Sequence, residues 1–394
     1  MIPKLRFPEF NDSWNKIEVD SLGEIKGGGT PSKQIESYWN GTIYWISSSD
    51  LMEESIWEIK THRFISKEAL INSATKLIPE GSILIVTRVG LGKVALSDKP
   101  LCTSQDFSNL ILKPNYSKPF IAYVVKNLML KLSLVNQGTS IKGVTTKTLK
   151  SAEVIIPSFS EQQRIEQVLK SVDQKINLLT KKKEALETYK KGLMQKIFSQ
   201  ELRFKRKDGT DYPEWEVKTL GDVGEVKMCK RIFNSETNPK GEIPFYKIGT
   251  FGKSADAFID KQLYETYRNK YSFPKKGEIL ISASGTLGRR VLYKGEDAYF
   301  QDSNIVWIAN DEELITNEFL FYLYEVVRYE SEGGTIKRLY NSIIKRARIS
   351  VPSIAEQDKI VAVLAKFDAL ITSVSEKLGA AEQLKKGLLQ QMFV

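Results

Sequence analysis

The sequence contains one histidine and two cysteines in 394 residues. A single histidine cannot form a zinc site of two or three histidines, nor a histidine pair that relays protons. Cys102 and Cys229 lie far apart and outside any Cys-x-x-Cys spacing, which excludes a zinc ribbon and a disulfide framework. We therefore expect a protein of the reducing cytoplasm. His62 lies in a polar stretch, Lys60–Arg63, where solvent or phosphate is its expected neighbour.

Long apolar runs are also missing. Runs such as Ile83–Val86 are interrupted within a few residues, so the sequence predicts neither a signal peptide nor a membrane span. The hydrophobic fraction of 41% is nevertheless enough for two or three domain cores. Lysine and arginine number 58 against 48 acidic residues, and this net charge of +10 favours a polyanionic partner.

Catalytic motifs are lacking as well. The stretch Gly27–Lys33 lacks the Gly-Lys-Ser/Thr of a phosphate loop and includes Pro31, which has no backbone donor. No Asn-Pro-Pro or Asp-Pro-Pro sequence of a methyltransferase occurs. Acid-x-lysine triplets such as Glu24–Lys26 and Glu225–Lys227 are short, and no upstream aspartate completes a nuclease metal site. We predict no catalytic residue, no cofactor and no metal.

The sequence consists of two similar halves, offset by about 195 residues. The matching stretches are Leu5-Arg6-Phe7 and Leu202-Arg203-Phe204, Trp14 and Trp215, Gln105-Asp106 and Gln301-Asp302, Ile141-Lys142 and Ile336-Lys337, Pro157 and Pro352, Glu161-Gln162 and Glu356-Gln357, and Lys190-Lys191-Gly192-Leu193 and Lys385-Lys386-Gly387-Leu388. So many ordered matches at nearly one offset indicate an internal repeat.

Each half begins with about 155 residues of mixed character and continues into one long helical segment. Short β-branched runs, 43–46 and 305–308, predict half-buried strands between Gly, Pro, Asn and Asp turns. The apolar segments 120–134 and 319–327 predict core helices. The domains are therefore predicted at 1–157 and 199–352, with helical spacers at 158–198 and 353–394.

The two spacers have helix-start signals and a heptad pattern. Ser158 with Glu161, and Ser353 with Glu356, have the spacing of a capping box. Apolar residues at steps of four and three then predict a coiled-coil seam. It contains Leu169, Val172, Ile176, Leu179 and Leu186 in the first helix, and Leu364, Phe367, Ile371, Val374 and Leu378 in the second. Chain order favours antiparallel pairing, although a helical hairpin on one globular core is an alternative. Lys183, Lys190 and Lys385 interrupt the seam and are expected to fix its register.

Basic and polar residues beside glycine turns predict a nucleic-acid surface in each mixed domain, since Arg and Lys suit phosphates and guanine edges while Ser and Thr suit phosphates. The candidates in the first domain are Lys26, Thr30, Ser32, Lys33, Ser48, Arg88, Lys93 and Lys142. Those in the second are Lys227, Lys230, Arg231, Lys247, Ser284, Arg289, Arg290, Lys337 and Arg338. Any one of them could instead be an ordinary solvated charge, so the prediction depends on the two-fold repetition.

The sequence resembles the DNA specificity subunits of type I restriction-modification systems. The resemblance spans the chain and rests on the opening Leu5-Arg6-Phe7 with Trp14, the Gly28–Ser32 turn followed by Tyr38-Trp39, and the repeated Pro-Ser-x-x-Glu-Gln helix starts. It implies an α+β fold in which two target-recognition domains are separated by two long antiparallel coiled-coil helices with pseudo-two-fold symmetry.

The resemblance also implies a function without catalysis. Each domain would read one half of a bipartite sequence in double-stranded DNA, and the helices would set the gap. The helices would also dock two adenine-N6 methyltransferase subunits, whose complex recruits motor and nuclease subunits. Two alternatives remain open: a single-chain sequence-specific endonuclease, and a coiled-coil scaffold with no role on DNA.

Overall fold

The computed structural model describes residues 3–136, 143–329 and 338–394, and for residues 135 and 136 it describes the backbone alone. The chain divides into two compact units. Unit 1 comprises Met1–Thr180 and Glu376–Val394, and unit 2 comprises Lys181–Ser375. Each unit therefore contains one mixed domain, the start of one long helix and the end of the other.

The described part of unit 1 contains ten strands and five α-helices, the last of which continues into unit 2. The strands are β1 (Asn15–Glu18), β2 (Gly23–Gly27), β3 (Ile43–Ile46), β4 (Arg63–Ile65), β5 (Leu77–Ile78), β6 (Ile83–Val86), β7 (Val94–Leu96), β8 (Leu101–Thr103), β9 (Phe107–Leu112) and β10 (Glu153–Ile156). The helices are α1 (Val19–Leu22), α2 (Lys67–Asn72), α3 (Lys118–Asn136), α4 (Thr146–Ser151) and α5 (Phe159–Phe198).

In its described residues, unit 2 repeats this order without a counterpart of β5. Its strands are β11 (Glu216–Thr219), β12 (Gly224–Lys227), β13 (Ile243–Tyr246), β14 (Phe258–Ile259), β15 (Ile279–Ser282), β16 (Arg290–Leu292), β17 (Tyr299–Phe300), β18 (Ile305–Asn310) and β19 (Arg348–Val351). Its helices are α6 (Leu220–Val223), α7 (Lys261–Lys270), α8 (Asn317–Leu323), α9 (Asn341–Arg346) and α10 (Ile354–Met392), which ends in unit 1.

The two units share one sheet topology. An antiparallel sheet has the order β2-β9-β6-β7 in unit 1 and β12-β18-β15-β16 in unit 2. A second sheet pairs β3 with β8 in parallel in unit 1, and β13 with β17 in unit 2. A two-stranded sheet joins the first strand of each unit to the strand before its long helix, β1 to β10 and β11 to β19. The predicted α+β fold with an internal repeat is confirmed.

The core of each unit includes both long helices. In unit 1, Ile165 and Leu169 of α5 are buried with Met392 of α10. In unit 2, Ile197 of α5 is buried with Ile360 of α10. Apolar residues at helical spacing form a stripe along one face of each long helix, because each turn places a further side chain on that face. The mixed domain of each unit packs on this stripe.

A buried glutamate at the start of each long helix binds the first residues of its own unit. In unit 1, Arg6 donates from Nε and Nη2 to the Glu161 carboxylate, each at 2.8 Å, and Trp14 Nε1 donates to it at 3.2 Å. The Glu161 residue is 1% exposed. The hydrogen bond to this carboxylate raises the pKa of Arg6.

Unit 2 repeats this clamp at the corresponding positions. Arg203 Nη2 lies 3.0 Å from Glu356 Oε2, and Trp215 Nε1 donates to the same oxygen at 3.1 Å. Glu356 is fully buried. The repeated Arg, Trp and Glu therefore attach the opening segment of each domain to the helix that follows it.

The adjacent glutamines hold a second helix start. Gln162 accepts a hydrogen bond from the Ser117 amide at 3.1 Å, immediately before α3, and donates to the Pro157 carbonyl at 3.0 Å. Gln357 binds the Thr316 amide, before α8, at 2.8 Å, and the Pro352 carbonyl at 2.9 Å. The Glu-Gln pair thus orients three elements of each unit.

The predicted capping boxes are wrong. Glu161 and Glu356 are used by the arginine–tryptophan clamps, so they do not reach back to the helix start. The Ser158 hydroxyl lies 3.2 Å from that of Ser160. Among the described residues the buried Ser353 hydroxyl has no hydrogen-bond partner. The predicted helix positions nonetheless agree with the structure, since α5 and α10 each begin one residue after these serines.

The long helices run antiparallel inside each unit. In unit 2, Lys190 contacts Asp368 at 2.5 Å while Arg203, beyond the end of α5, contacts Glu356 near the start of α10. In unit 1, Lys385 of α10 contacts Asp173 of α5 at 2.8 Å. Two of the lysines that interrupt the seam therefore form ion pairs between the helices.

The seam residues occupy the less exposed face of both helices. Leu169, Val172, Leu364 and Val374 are buried. The remaining six, which are Ile176, Leu179, Leu186, Phe367, Ile371 and Leu378, are half-buried. In unit 2 the ring of Phe367 lies 5.3 Å from that of Tyr189.

The clamp predicts a specific loss of stability. In the Arg203→Met variant, the Glu356 carboxylate stays buried without its cation, so we expect destabilisation by about 3 kcal/mol. Arg206→Met is the matched control, because Arg206 is exposed. Urea unfolding measures both variants, and equal midpoints would contradict the role assigned to the clamp.

Candidate nucleic-acid interface

Two loops of unit 1 contact the Gln105–Asp106 turn, and a third loop contacts one of these two. The Thr30 hydroxyl, in the turn after β2, donates to the Gln105 side chain. The Thr87 amide, after β6, donates to the Asp106 carbonyl at 2.8 Å. The Val144 amide, before α4, donates to the Thr87 carbonyl at 2.8 Å. One turn thus gathers loops that are far apart in sequence.

The glycine turn after β2 packs closely against the backbone of unit 1. A Cβ atom on Gly28 would lie 2.1 Å from the Ser104 carbonyl oxygen, so only glycine fits there. Trp45 Nε1 donates to the Gly29 carbonyl at 2.9 Å, and Trp39 Nε1 donates to the Ser32 carbonyl at 3.1 Å. This turn is therefore fixed in place, and it leaves the Ser32 side chain exposed.

Unit 2 builds the same meeting point around its Gln301–Asn304 turn. Arg231 Nε, after β12, lies 2.9 Å from Asp302 Oδ2. The Ser284 hydroxyl, after β15, donates to Asn304 Oδ1 at 2.8 Å. The equivalent turns of the two units thus hold the equivalent loops through different side chains.

The segment before α9 completes this arrangement in unit 2. Arg338 Nη2 donates to the Ser303 carbonyl at 2.8 Å, and the Leu339 amide donates to the Ala283 carbonyl at 2.8 Å. The second contact is the counterpart of that between Val144 and Thr87. The structure therefore brings together the predicted residues Arg231, Ser284 and Arg338.

Five predicted cations at these loops are exposed, and two of them contact their own unit, since Arg231 pairs with Asp302 and Lys230 lies over the Tyr271 ring. The other three form neither kind of contact within the described residues. They are Lys33 and Arg88 in unit 1 and Lys227 in unit 2. No carboxylate of the described residues lies within ion-pair distance of their side chains. Cations that form no ion pair at contact distance are the ones best suited to phosphate oxygens.

Other predicted residues contact their own unit. Lys93 Nζ donates to the Ser48 carbonyl at 3.3 Å and to the Leu51 carbonyl at 3.0 Å, and Ser48 is 9% exposed. The remaining contacts pair Lys26 with Glu24 at 3.3 Å, Lys247 with Asp256 at 2.9 Å, Arg289 with the Phe251 carbonyl at 3.0 Å, and Lys230 with the Tyr271 ring at 5.3 Å.

Arg290 is half-buried and contacts its own unit, with 17% of its side chain exposed. Its guanidinium lies 4.3 Å from the centre of the Phe321 ring and forms an ion pair with Glu325. Burial lowers the pKa of Arg290 to about 10. Arg290 was selected as a DNA contact because it lies beside a glycine turn. In the structure its side chain instead contacts Phe321 and Glu325 of its own unit. Lys142 and Lys337 lie outside the described residues.

Sequence reasoning did not select the turns that organise these loops. Gln105, Asp106 and Asp302 were noted only as members of the repeat, and Asn304 was not selected. Their recurrence in both halves, outside any apolar pattern, is the signal that could have identified them.

Two further observations concern sites of other kinds. Within the described ranges, no group of three or more His, Cys, Asp or Glu residues is placed to hold a metal ion. The same part of the chain contains no helix long and apolar enough to cross a membrane.

A family profile described as a type I restriction modification DNA specificity domain matches residues 11–188 and 212–383. The chain belongs to this family. The two matches coincide with the two repeated halves, which confirms the resemblance recognised in the sequence.

Named relatives agree with the assignment. A putative type I restriction enzyme specificity subunit of Haemophilus influenzae is 56% identical over 169 residues, which is 42% of this chain and 44% of that protein. The type I restriction enzyme MjaIX specificity subunit of Methanocaldococcus jannaschii is 28% identical over 93% of this chain and 87% of its own length. Both are named as specificity subunits, in accord with the prediction that the chain is not itself an enzyme.

A solved structure shares the fold. The S subunit of a type I restriction-modification system from M. genitalium superposes with a TM-score of 0.63 at 18% identity, covering 100% of this chain and 99% of that one.

An exposed arginine at the interface provides a test. We expect Arg88→Ala to weaken double-stranded DNA binding and to reduce the slope of log affinity against log salt by about 0.9, since one phosphate contact is lost. Lys16→Ala, on the small β1–β10 sheet, is the matched control. Fluorescence anisotropy measures both, and an unchanged salt slope for Arg88→Ala would count against this surface.

Proposed function

We propose that this chain reads a bipartite, asymmetric DNA sequence as the specificity subunit of a type I restriction-modification complex. Unit 1 reads one half of the target and unit 2 reads the other. Recognition would use the loops gathered at the Gln105–Asp106 and Gln301–Asn304 turns, where Lys33, Arg88 and Lys227 carry exposed positive charge.

The main support is that the two units keep one frame but differ at these loops. Residues 26–33 read Lys-Gly-Gly-Gly-Thr-Pro-Ser-Lys, whereas 227–234 read Lys-Met-Cys-Lys-Arg-Ile-Phe-Asn. Identical frames with different loops fit two readers of different base sequences, because direct readout depends on the donors and acceptors presented to the groove. The two half-sites should therefore differ.

The long helices would set the gap between the half-sites and dock the partner subunits. Two adenine-N6 methyltransferase subunits fit a chain with two similar halves, because each half offers a similar surface to one copy. Methylation of adenine requires the base to leave the duplex. In this proposal the partner holds the extruded base while the recognition loops hold the flanking DNA. Motor and nuclease subunits would then join through this complex.

Selection from a random DNA pool tests the reading function. The chain is used alone and together with a co-expressed adenine methyltransferase subunit. We expect two short sequence blocks separated by a fixed unspecified gap, with the blocks different from one another. A perfect palindrome would contradict the asymmetric target, and no enrichment in either preparation would support the scaffold alternative.

The role of the helices as spacers predicts a change in the gap. One heptad inserted between Thr180 and Lys181, and one between Lys377 and Leu378, keeps the seam in phase and lengthens each helix by about 10.5 Å. The preferred gap should grow by about three base pairs. Insertion into α5 alone is the control, since it offsets the seam and should impair binding. An unchanged gap in the double insertion would refute the spacer role.

A further inference from the structure

A groove on unit 1 is filled by the chain itself. The sixteen residues between β3 and β4 (47–62) contain a segment, 52–58, that lies against β7, α3 and α5. The Leu96 amide on β7 donates to the Ile56 carbonyl at 2.8 Å, and Ile56 is fully buried. Trp57 Nε1 donates to Asp173 on α5 at 2.8 Å.

The Asp173 carboxylate is the polar end of this groove. It also accepts a hydrogen bond from Tyr123 on α3 and forms an ion pair with Lys385, and its side chain is 9% exposed. Lys385 in addition donates to the Glu54 carbonyl at 3.0 Å. The segment is therefore held by backbone, apolar and charged contacts together.

Unit 2 contains the equivalent groove with the same fixed groups. Leu292 on β16 pairs with Ile279 in the register in which Leu96 pairs with Ile83. Tyr322 on α8 donates to Asp368 on α10 at 2.7 Å, as Tyr123 does to Asp173. The groove-lining strand and the two helices are thus repeated.

The segment that fills the groove is not repeated. Only eleven residues (247–257) connect β13 to β14. A cavity of about 600 Å³ is found in unit 2, and its lining includes Leu292, Phe321, Tyr322, Val361 and Ala365. Leu292 is 40% exposed, and the Asp368 side chain is 41% exposed. The groups that receive Ile56 and Trp57 in unit 1 are therefore open in unit 2.

The edge of the sheet can accept an extended segment. β16 is the outer strand of its sheet. The Tyr293 amide donates to the Glu278 carbonyl at 3.0 Å. Because the backbone groups of successive residues in an antiparallel strand point to opposite sides, the amide of the preceding residue, Leu292, points away from β15. The Leu96 amide has this same orientation and bonds to Ile56. A peptide strand can bind such an edge through its backbone while its side chains enter adjacent pockets.

Charge indicates the composition of the occupant. Segment 52–58 contains Glu53, Glu54 and Glu58 and no basic residue. Lys276 and Lys294 line the unit 2 cavity, against the single acid Glu318.

We propose that this groove of unit 2 docks an extended, acidic segment of a partner protein, with an aliphatic residue and a tryptophan placed as Ile56 and Trp57 are. The tryptophan enters the cavity beside Tyr322 and donates to Asp368, which bonds to this lining residue and itself lines a neighbouring cavity. The aliphatic residue accepts a backbone hydrogen bond from Leu292. This docking does not depend on DNA recognition.

A synthetic probe tests the groove directly. The peptide Leu-Met-Glu-Glu-Ser-Ile-Trp-Glu-Ile-Lys, copied from residues 51–60 and labelled with fluorescein, is titrated with the full chain and followed by anisotropy. We expect saturable binding with a dissociation constant below about 1 mM. Replacing the peptide tryptophan by alanine should weaken binding at least about tenfold, because the indole contacts are lost.

A pair of helix variants locates the binding. Ala365→Arg places a long charged side chain in the cavity and should weaken binding at least about tenfold. Ala362→Arg makes the same change at an exposed position of α10 that does not line the cavity, and should leave binding unchanged. Absence of saturable binding to the natural chain, or equal binding by the two variants, would overturn the proposal.

Discussion

A carboxylate removed from water must be matched by a cation and hydrogen-bond donors, and this constraint organises both halves of the protein. Glu161 and Glu356 are essentially unexposed, and each receives an arginine and a tryptophan from the opening segment of its unit. The neighbouring glutamine fixes the start of α3 or α8. The long helix, the opening segment and a core helix can therefore take only one mutual arrangement within each unit.

This fixed arrangement leaves the loops free to differ. The contact between Val144 and Thr87 in unit 1 reappears between Leu339 and Ala283 in unit 2, yet the side chains beside these contacts are unrelated. The same separation of frame from surface applies to the groove at the edge strand of each sheet, β7 in unit 1 and β16 in unit 2. Unit 1 fills this groove with Trp57, and unit 2 leaves it open. Duplication has thus preserved the internal contacts while the exposed ones have diverged.

Much of the fold could be predicted because its signals are local or repeated. Heptad spacing located α5 and α10, and the apolar segments located α3 and α8. The role of Glu161 could not be predicted, since its partners Arg6 and Trp14 lie 155 and 147 residues away. Arg88 and Arg290 both lie beside glycine turns, but packing leaves the first exposed and holds the second half-buried against Phe321. Such differences depend on tertiary contacts that neither charge nor spacing encodes.

The central claim is that each unit reads its own half-site through loops mounted on a common frame. It is tested most directly by a chain in which residues 3–197 replace 200–394, so that both units have the loops of unit 1 and both retain the clamp. Selection from random DNA should then return two copies of one half-site, and that half-site should be one of the two selected by the natural chain. Recovery of two different half-sites would contradict the account.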